Sequence, residues 1–178
     1  REHGHDVVLA SPPGSYVEHL QAAGFRWLPV PLSRRGTHLM GEMRSLLHLL
    51  RFYHAERPNI ASHFTIKPVL YGSLAARMAG VPRVVNAVTG LGYVFYGVDR
   101  KASILRAAIR PLYRLSLRDT RIIFQNEADR QVFVQGNLAR PDQTHLIPSS
   151  GIDVRRFACS PFPSTPPVVV FNGRMLWS

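Results

Sequence analysis

The chain has 178 residues, 46% of them apolar, a formal net charge of +11 from 22 Lys and Arg against 11 Asp and Glu, and a single cysteine. That apolar share argues against disorder, and no run of about 18 uncharged apolar residues is present to cross a bilayer. Cys159 alone builds neither an intramolecular disulfide framework nor a Cys-rich zinc module. With no basic stretch and apolar run at its start, the sequence predicts a reduced, cytoplasmic setting.

In chain order, an apolar run at Asp6–Ser11 leaves into Pro12-Pro13-Gly14 and reads as a strand entering a loop. Ser15, with Glu18 three residues on, has capping-box spacing and predicts a helix through Ala23, stopped by Gly24. Phe25–Val30 reads as a strand. Glu42–Arg57 carries Leu46, Leu49, Leu50 and Tyr53 at helical spacing and ends at Pro58. Then follow a strand at Asn59–Phe64, a small-residue helix at Pro68–Ala79, a strand at Arg83–Val88 and the loop Thr89-Gly90-Leu91-Gly92. A helix at Ser103–Leu117, a strand at Arg121–Gln125, a helix at Glu127–Val134 and a strand at Thr144–Ile147 complete the alternation. Short βα connections of this kind predict an α/β fold, a Rossmann-like parallel sheet with helices on both faces.

Both ends read as cut. Arg1–His5 resembles the end of a helix feeding the first strand, and no strand precedes it. Pro161–Pro167 reads as a linker, and Val168–Phe171 starts a buried strand that needs partners. The expected organisation is therefore a domain over 1–160 lacking its first strand, then 161–178 as linker and first strand of another domain.

In open parallel sheets ligands bind beyond the carboxyl ends of the strands. The residues there are Ser11-Pro12-Pro13-Gly14, His63–Lys67, Asn86–Gly92, Gln125-Asn126 and Ser149-Ser150-Gly151. They offer amides, hydroxyls, an imidazole and an ammonium, a set suited to sugar hydroxyls and phosphate. No carboxylate pair for glycoside hydrolysis, nucleophile elbow, phosphate loop or zinc helix accompanies them. His3 and His5 have no third ligand, so no metal site is expected. Gly90 and Gly92 lack the third glycine of a dinucleotide fingerprint. Asn126 is placed to cap the helix that follows it. Lys67 at a helix start conflicts with the helix dipole, which a nearby anion would relieve.

The positive charge is concentrated in the middle of the chain. Residues 61–121 hold ten Lys and Arg against two acids, and seven of the ten lie between Arg100 and Arg121. On a wheel of about 100° per residue, Arg106, Arg110, Arg114 and Arg118 share a stripe, opposite Ile104, Leu105, Ala108, Ile109, Leu112 and Leu115. Pro111 predicts either a strained helix or two shorter ones. The stripe is open to two readings: a solvated face, or contact with an anionic membrane aided by Tyr93 and Phe95 as interfacial aromatics. Nucleic acid is not expected, since no recognition motif accompanies the charge.

The runs HFTIKPVLYGSLAARMAGVPRVVNAVTGLGYVF (His63–Phe95), IIFQNEADRQVF (Ile122–Phe133), SGIDVRRF (Ser150–Phe157) and VVVFNGRMLW (Val168–Trp177) resemble the glycosyl transferase 4-like glycosyltransferases. The likeness is to bacterial members that extend undecaprenyl-diphosphate-linked sugars in capsule, O-antigen or glycoprotein-glycan assembly. It implies the GT-B architecture, in which an N-terminal Rossmann-like domain takes the acceptor and a C-terminal one holds the nucleotide sugar. It also implies a retaining enzyme peripheral to the inner face of the cytoplasmic membrane. No cofactor or obligatory metal is implied, with a UDP-sugar as donor and a lipid-linked saccharide as acceptor. On that resemblance Gly173 and Arg174 face the donor diphosphate. His63, Thr65, Lys67, Asn86, Thr89, Gly90 and Asn126 line the acceptor side, while Arg106, Arg110, Arg114, Tyr93 and Phe95 meet the membrane. No catalytic group is assigned. The alternatives are a sugar-nucleotide 2-epimerase of the same architecture and a non-catalytic basic membrane-binding module.

Overall fold

The structure, a computed structural model, describes residues 4–31, 39–148 and 151–157. Among the described residues six strands are interspersed with helices in the order β1 (Val8–Ser11), α1 (Val17–Ala22), β2 (Arg26–Pro29), α2 (Leu39–Glu56), β3 (Ile60–Phe64), α3 (Ser73–Met78), β4 (Arg83–Val88), α4 (Gly92–Tyr96), α5 (Arg100–Leu117), β5 (Arg121–Phe124), α6 (Glu127–Gln135) and β6 (Thr144–Leu146). Every strand pairing among the described residues is parallel, and the fold is α/β and Rossmann-like. The strands form two sheets among the described residues, β1-β2 and β3-β4-β5-β6, where the repeat of short βα units predicts one. The break falls at the connection from β2 to β3, which runs through the 18-residue α2 and does not return β3 beside β2.

Local differences from the sequence pattern have physical causes. Ser15 does not cap α1; Tyr16 holds that position without a side-chain bond. A π-helical turn at Pro68–Gly72 precedes α3. Pro68 has no N–H to donate, and Gly72 lies against the His63 ring. A β-carbon there would come 2.7 Å from Cδ2 and Nε2. The helix α5 starts at Asp99, whose carboxylate accepts from the Ala102 amide at 3.1 Å, and it runs unbroken through Pro111. Pro111 is exposed, so the carbonyl four residues before it is not forced into a dry interior.

Two apolar clusters carry the packing. One joins Val30 to Leu49, Tyr53, Ala61, Ala75 and Ala76, fastening α2 and α3 to the sheet. The other centres on Phe133, fully buried with its ring 5.3 Å from Phe95, 5.1 Å from Tyr113 and 5.2 Å from Phe124. It ties α4, α5, α6 and β5 into one block. Phe133→Ala removes the shared ring and leaves a cavity that rigid neighbours cannot fill. The expected loss is about 3–5 kcal/mol, read as a lower urea midpoint at unchanged slope.

Candidate functional site

The carboxyl ends of β3, β4 and β5 stand side by side, because parallel neighbours in register share one edge. Beyond them lie Thr65, Lys67, Thr89, Gly90 and Asn126, all exposed except the half-buried Lys67. Thr65 holds a left-handed backbone at φ 70 and Gly90 one at φ 151, so the chain leaves both strands through sharp, fixed turns. Leu91, 1% exposed, pins the second turn to the core.

Lys67 pairs with Glu42 of α2 at 2.5 Å. The same carboxylate binds the Tyr71 hydroxyl, and burial together with that negative charge raises the Tyr71 pKa. Glu42 is thus the anion that the position of Lys67 calls for. Asn126 accepts from the Asp129 amide at 2.8 Å and donates to its carboxylate at 3.1 Å, so it caps α6 while standing at the edge. The buried Asp129 also accepts the Tyr96 hydroxyl, latching α4 to α6.

His63 and Asn86 lie deeper than the sequence reading puts them. They are partners across β3 and β4, 5% and 0% exposed, and face the helices rather than the edge. The Tyr53 hydroxyl donates to His63 Nε2 at 2.7 Å, and His63 Nδ1 donates to Asn86 Oδ1 at 2.9 Å. Ser73 donates to the same oxygen at 2.9 Å, and Asn86 Nδ2 donates to Thr120 Oγ1 at 3.1 Å. Thr120 passes the direction on to the Leu117 carbonyl. Burial pushes the Tyr53 pKa up to about 12, which keeps it a donor. Burial lowers that of His63, and its bond to Asn86 opposes this only in part.

Three arginines of α5 bind the backbone of neighbouring elements, Arg106 and Arg110 half-buried and Arg114 exposed. Arg106 donates to the carbonyls of Val94 at 2.9 Å and Gly97 at 2.6 Å. Arg110 reaches the Gly136 carbonyl at 2.8 Å, and Arg114 reaches that of Asn137 at 2.9 Å. These carbonyls close α4 and α6, at the negative ends of their dipoles. Phe95 packs into the aromatic block, and Tyr93 falls within α4. The residues that do face outward on α5 include Ile104, Leu105, Ala108 and Leu115, which the wheel assigns to the core. Glu42 escaped sequence reasoning, although the acidic partner that Lys67 needs is a signal that points to it. Gly173 and Arg174 lie outside the described residues, as does the proposed strand at Val168–Phe171. Among the described residues no group of three or more His, Cys, Asp or Glu gathers to hold a metal.

The depressed His63 pKa links stability to pH. Above the ordinary value of 6.5 both folded and unfolded forms are neutral. Below it the unfolded chain takes a proton that the native site resists, so stability falls as the pH falls, by at most about 1.4 kcal/mol per unit. Urea unfolding as the pH is lowered through the ordinary histidine value checks this, and the slope attributable to this group is absent in His63→Gln.

Residues 1–127 match the family model described as "Glycosyl transferase 4-like". The chain is 30% identical over 129 residues to the UDP-Gal:alpha-D-GlcNAc-diphosphoundecaprenol alpha-1,3-galactosyltransferase of Escherichia coli, covering 72% of this chain and 32% of the relative. It is 24% identical over 153 residues to the N,N'-diacetylbacillosaminyl-diphospho-undecaprenol alpha-1,3-N-acetylgalactosaminyltransferase of Campylobacter jejuni, covering 85% of this chain and 40% of the relative. The chain thus spans about a third to two fifths of the length of these curated relatives. With the family model matched across most of its length and the first relative over nearly three quarters, the chain belongs to the glycosyl transferase 4-like family.

Proposed function

We propose that this chain is the acceptor-side part of a glycosyltransferase. That enzyme moves a hexose or N-acetylhexosamine from a nucleotide sugar, a UDP-sugar by preference, to a lipid-diphosphate-linked saccharide in surface-glycan assembly. One coincidence carries the reading: the kinship to enzymes named for diphosphoundecaprenol-linked substrates falls on a strand edge that offers hydroxyls, an amide and an ammonium. Residues 1–160 form the acceptor domain, and 161–178 lead into a donor domain where Gly173 and Arg174 meet the diphosphate.

In this mechanism Thr65, Thr89 and Asn126 orient acceptor hydroxyls, and the Gly90 turn lets the saccharide approach the backbone. Lys67 gives its ammonium to acceptor phosphate, exchanging a carboxylate partner for a more strongly charged one. His63 and Asn86 act from below by holding β3 and β4 in register. The sugar's C1–oxygen bond to the nucleoside diphosphate breaks as its bond to the acceptor oxygen forms on the same face. The hydroxyl proton leaves on the departing phosphate oxygen. The membrane setting follows from an acceptor whose lipid tail stays in the bilayer.

The full-length protein, given a panel of UDP-hexoses and a short polyprenyl-diphosphate saccharide, should yield an elongated lipid-linked product. No transfer across the panel overturns the reading. Release of an epimerised sugar without acceptor replaces it with the 2-epimerase. Lys67→Ala should lower kcat/KM for the lipid-diphosphate acceptor about tenfold or more, with the KM for the nucleotide sugar unchanged.

A further inference from the structure

Glu42 is held from three sides. It stands in the first turn of α2, where the positive end of the helix favours a carboxylate. It accepts from the Lys67 ammonium at 2.5 Å and from the Tyr71 hydroxyl. Lys67 precedes the π-helical turn Pro68–Gly72 and Tyr71 lies within it, so one carboxylate ties α2 to the segment that leaves β3. The supports differ in how readily they part. Lysine carries a compact charge and three N–H groups on a flexible stem, and the Lys67 side chain is 25% exposed against 15% for Glu42. Lys67 is the partner that can turn to a ligand, and Glu42 then stays behind with two supports. Charge decides what takes the lysine. A neutral hydroxyl gains little by displacing a carboxylate from an ammonium, whereas a diphosphate offers more charge than it displaces. Once displaced, the carboxylate faces the ligand as a like charge and lowers its affinity.

We propose that Glu42 sets the affinity of the acceptor site: it holds Lys67 before the acceptor arrives, cedes it to the acceptor diphosphate, and competes for it again when the elongated product leaves. This rests on the acceptor-side reading above. Acceptor and product carry the same lipid-linked diphosphate, so an ammonium with no competitor would retain both alike. Tyr71 supports the exchange by keeping a hydrogen bond on the carboxylate once the ammonium has turned away. A half-buried carboxylate stripped of both donors would cost more, and Lys67 would then be harder to win. Glu42 acts through Lys67 and is a positioning residue; it takes no proton from the acceptor hydroxyl.

The test is calorimetric binding to the full-length protein without nucleotide sugar. The probes are the short polyprenyl-diphosphate saccharide of the transfer assay and the same prenyl saccharide lacking the diphosphate. Glu42→Gln keeps an oxygen for the two donors and loses the charge. It should tighten binding of the diphosphate probe about fivefold and leave the other probe unchanged. In a Lys67→Ala background that gain should vanish, since no ammonium is left to compete for. Tyr71→Phe should move binding the other way, weakening the diphosphate probe about threefold while both charges remain. A structural role alone would weaken binding in both variants. Equal or weaker binding of the diphosphate probe by Glu42→Gln overturns the proposal, as does a gain that persists in Lys67→Ala or extends to the diphosphate-free probe. No binding of the diphosphate probe by the unaltered protein overturns it too. Should the thermal midpoint show that Glu42→Gln does not fold, Tyr71→Phe decides, and unchanged or tighter binding overturns the proposal. The expected pattern without transfer strikes the proposed reaction and leaves the role of Glu42. Transfer with binding unaltered in Glu42→Gln strikes that role and leaves the reaction.

Discussion

A buried amide sets the terms for this fold. Asn86 has no exposure, and its oxygen and nitrogen are both engaged: one receives His63 and Ser73, the other gives to Thr120. An unpaired polar group at that depth costs about 1–3 kcal/mol, more than a well-made hydrogen bond returns on balance. The structure therefore has to bring β3, β4, α3 and the turn before β5 together in one arrangement, and Tyr53 adds α2 through the imidazole. The Asn86 oxygen can only accept, so His63 Nδ1 donates to it and Nε2 receives Tyr53, and the direction runs on through Thr120 to the Leu117 carbonyl. A one-residue slip of β3 against β4 would separate His63 from Asn86 and turn His63 toward the other face. Polar satisfaction thus holds the register that apolar packing alone would fix less firmly.

A second use of polar chemistry, at the contacts between helices, explains the orientation of α5. Helices α4 and α6 end with carbonyls that have no further turn to receive them, and three arginines four residues apart meet those ends. A guanidinium on a helix C-terminus gains both hydrogen bonds and dipole attraction, while its aliphatic stem still contributes apolar cover. With that side committed, Tyr113, Ser116 and Leu117 join the arginines against the core. Ile104, Ala108, Pro111 and Leu115 are left facing out. The usual rule, apolar inward and charged outward, gives way here because the neighbouring elements offer acceptors rather than grease.

This is also where the sequence stops being legible. Strands are easy to read when proline or glycine bounds an apolar run, and Arg83–Val88 is found at the predicted residues. A helical wheel separates two faces of α5 but cannot say which one the fold turns inward, because Gly136 and Asn137 lie more than 20 residues away. The same limit applies to His63. Strand pleating alternates faces, and Ala61 and His63 are buried while Ser62 and Phe64 are exposed. Which parity meets the helices depends on α2 and α3, not on the strand. Lys67 was readable as a conflict, a cation at the positive end of a helix. Its resolution, Glu42, stands 25 residues earlier on another element. Asn126 was readable outright, since capping is a local matter of three residues.

The buried string and the exposed edge are coupled by distance along the chain. His63 stands two residues before Thr65, and Asn86 three before Thr89, so each strand is clamped just below the turn that presents an exposed hydroxyl. A left-handed backbone at Thr65 is unfavourable for a residue with a β-branched side chain, and it persists only where the flanking segments over-determine it. Here His63 holds the strand on one side, and on the other the Val69 amide returns to the Thr65 carbonyl at 3.1 Å. Lys67, inside that same turn, is held in place by Glu42. On the acceptor-side role proposed above, hydroxyls fixed before a saccharide arrives have less freedom to lose on binding. The polar core supports the edge by rigidity: His63 and Asn86 are engaged below it, and Thr65 and Thr89 stand on turns that the clamped strands hold in place.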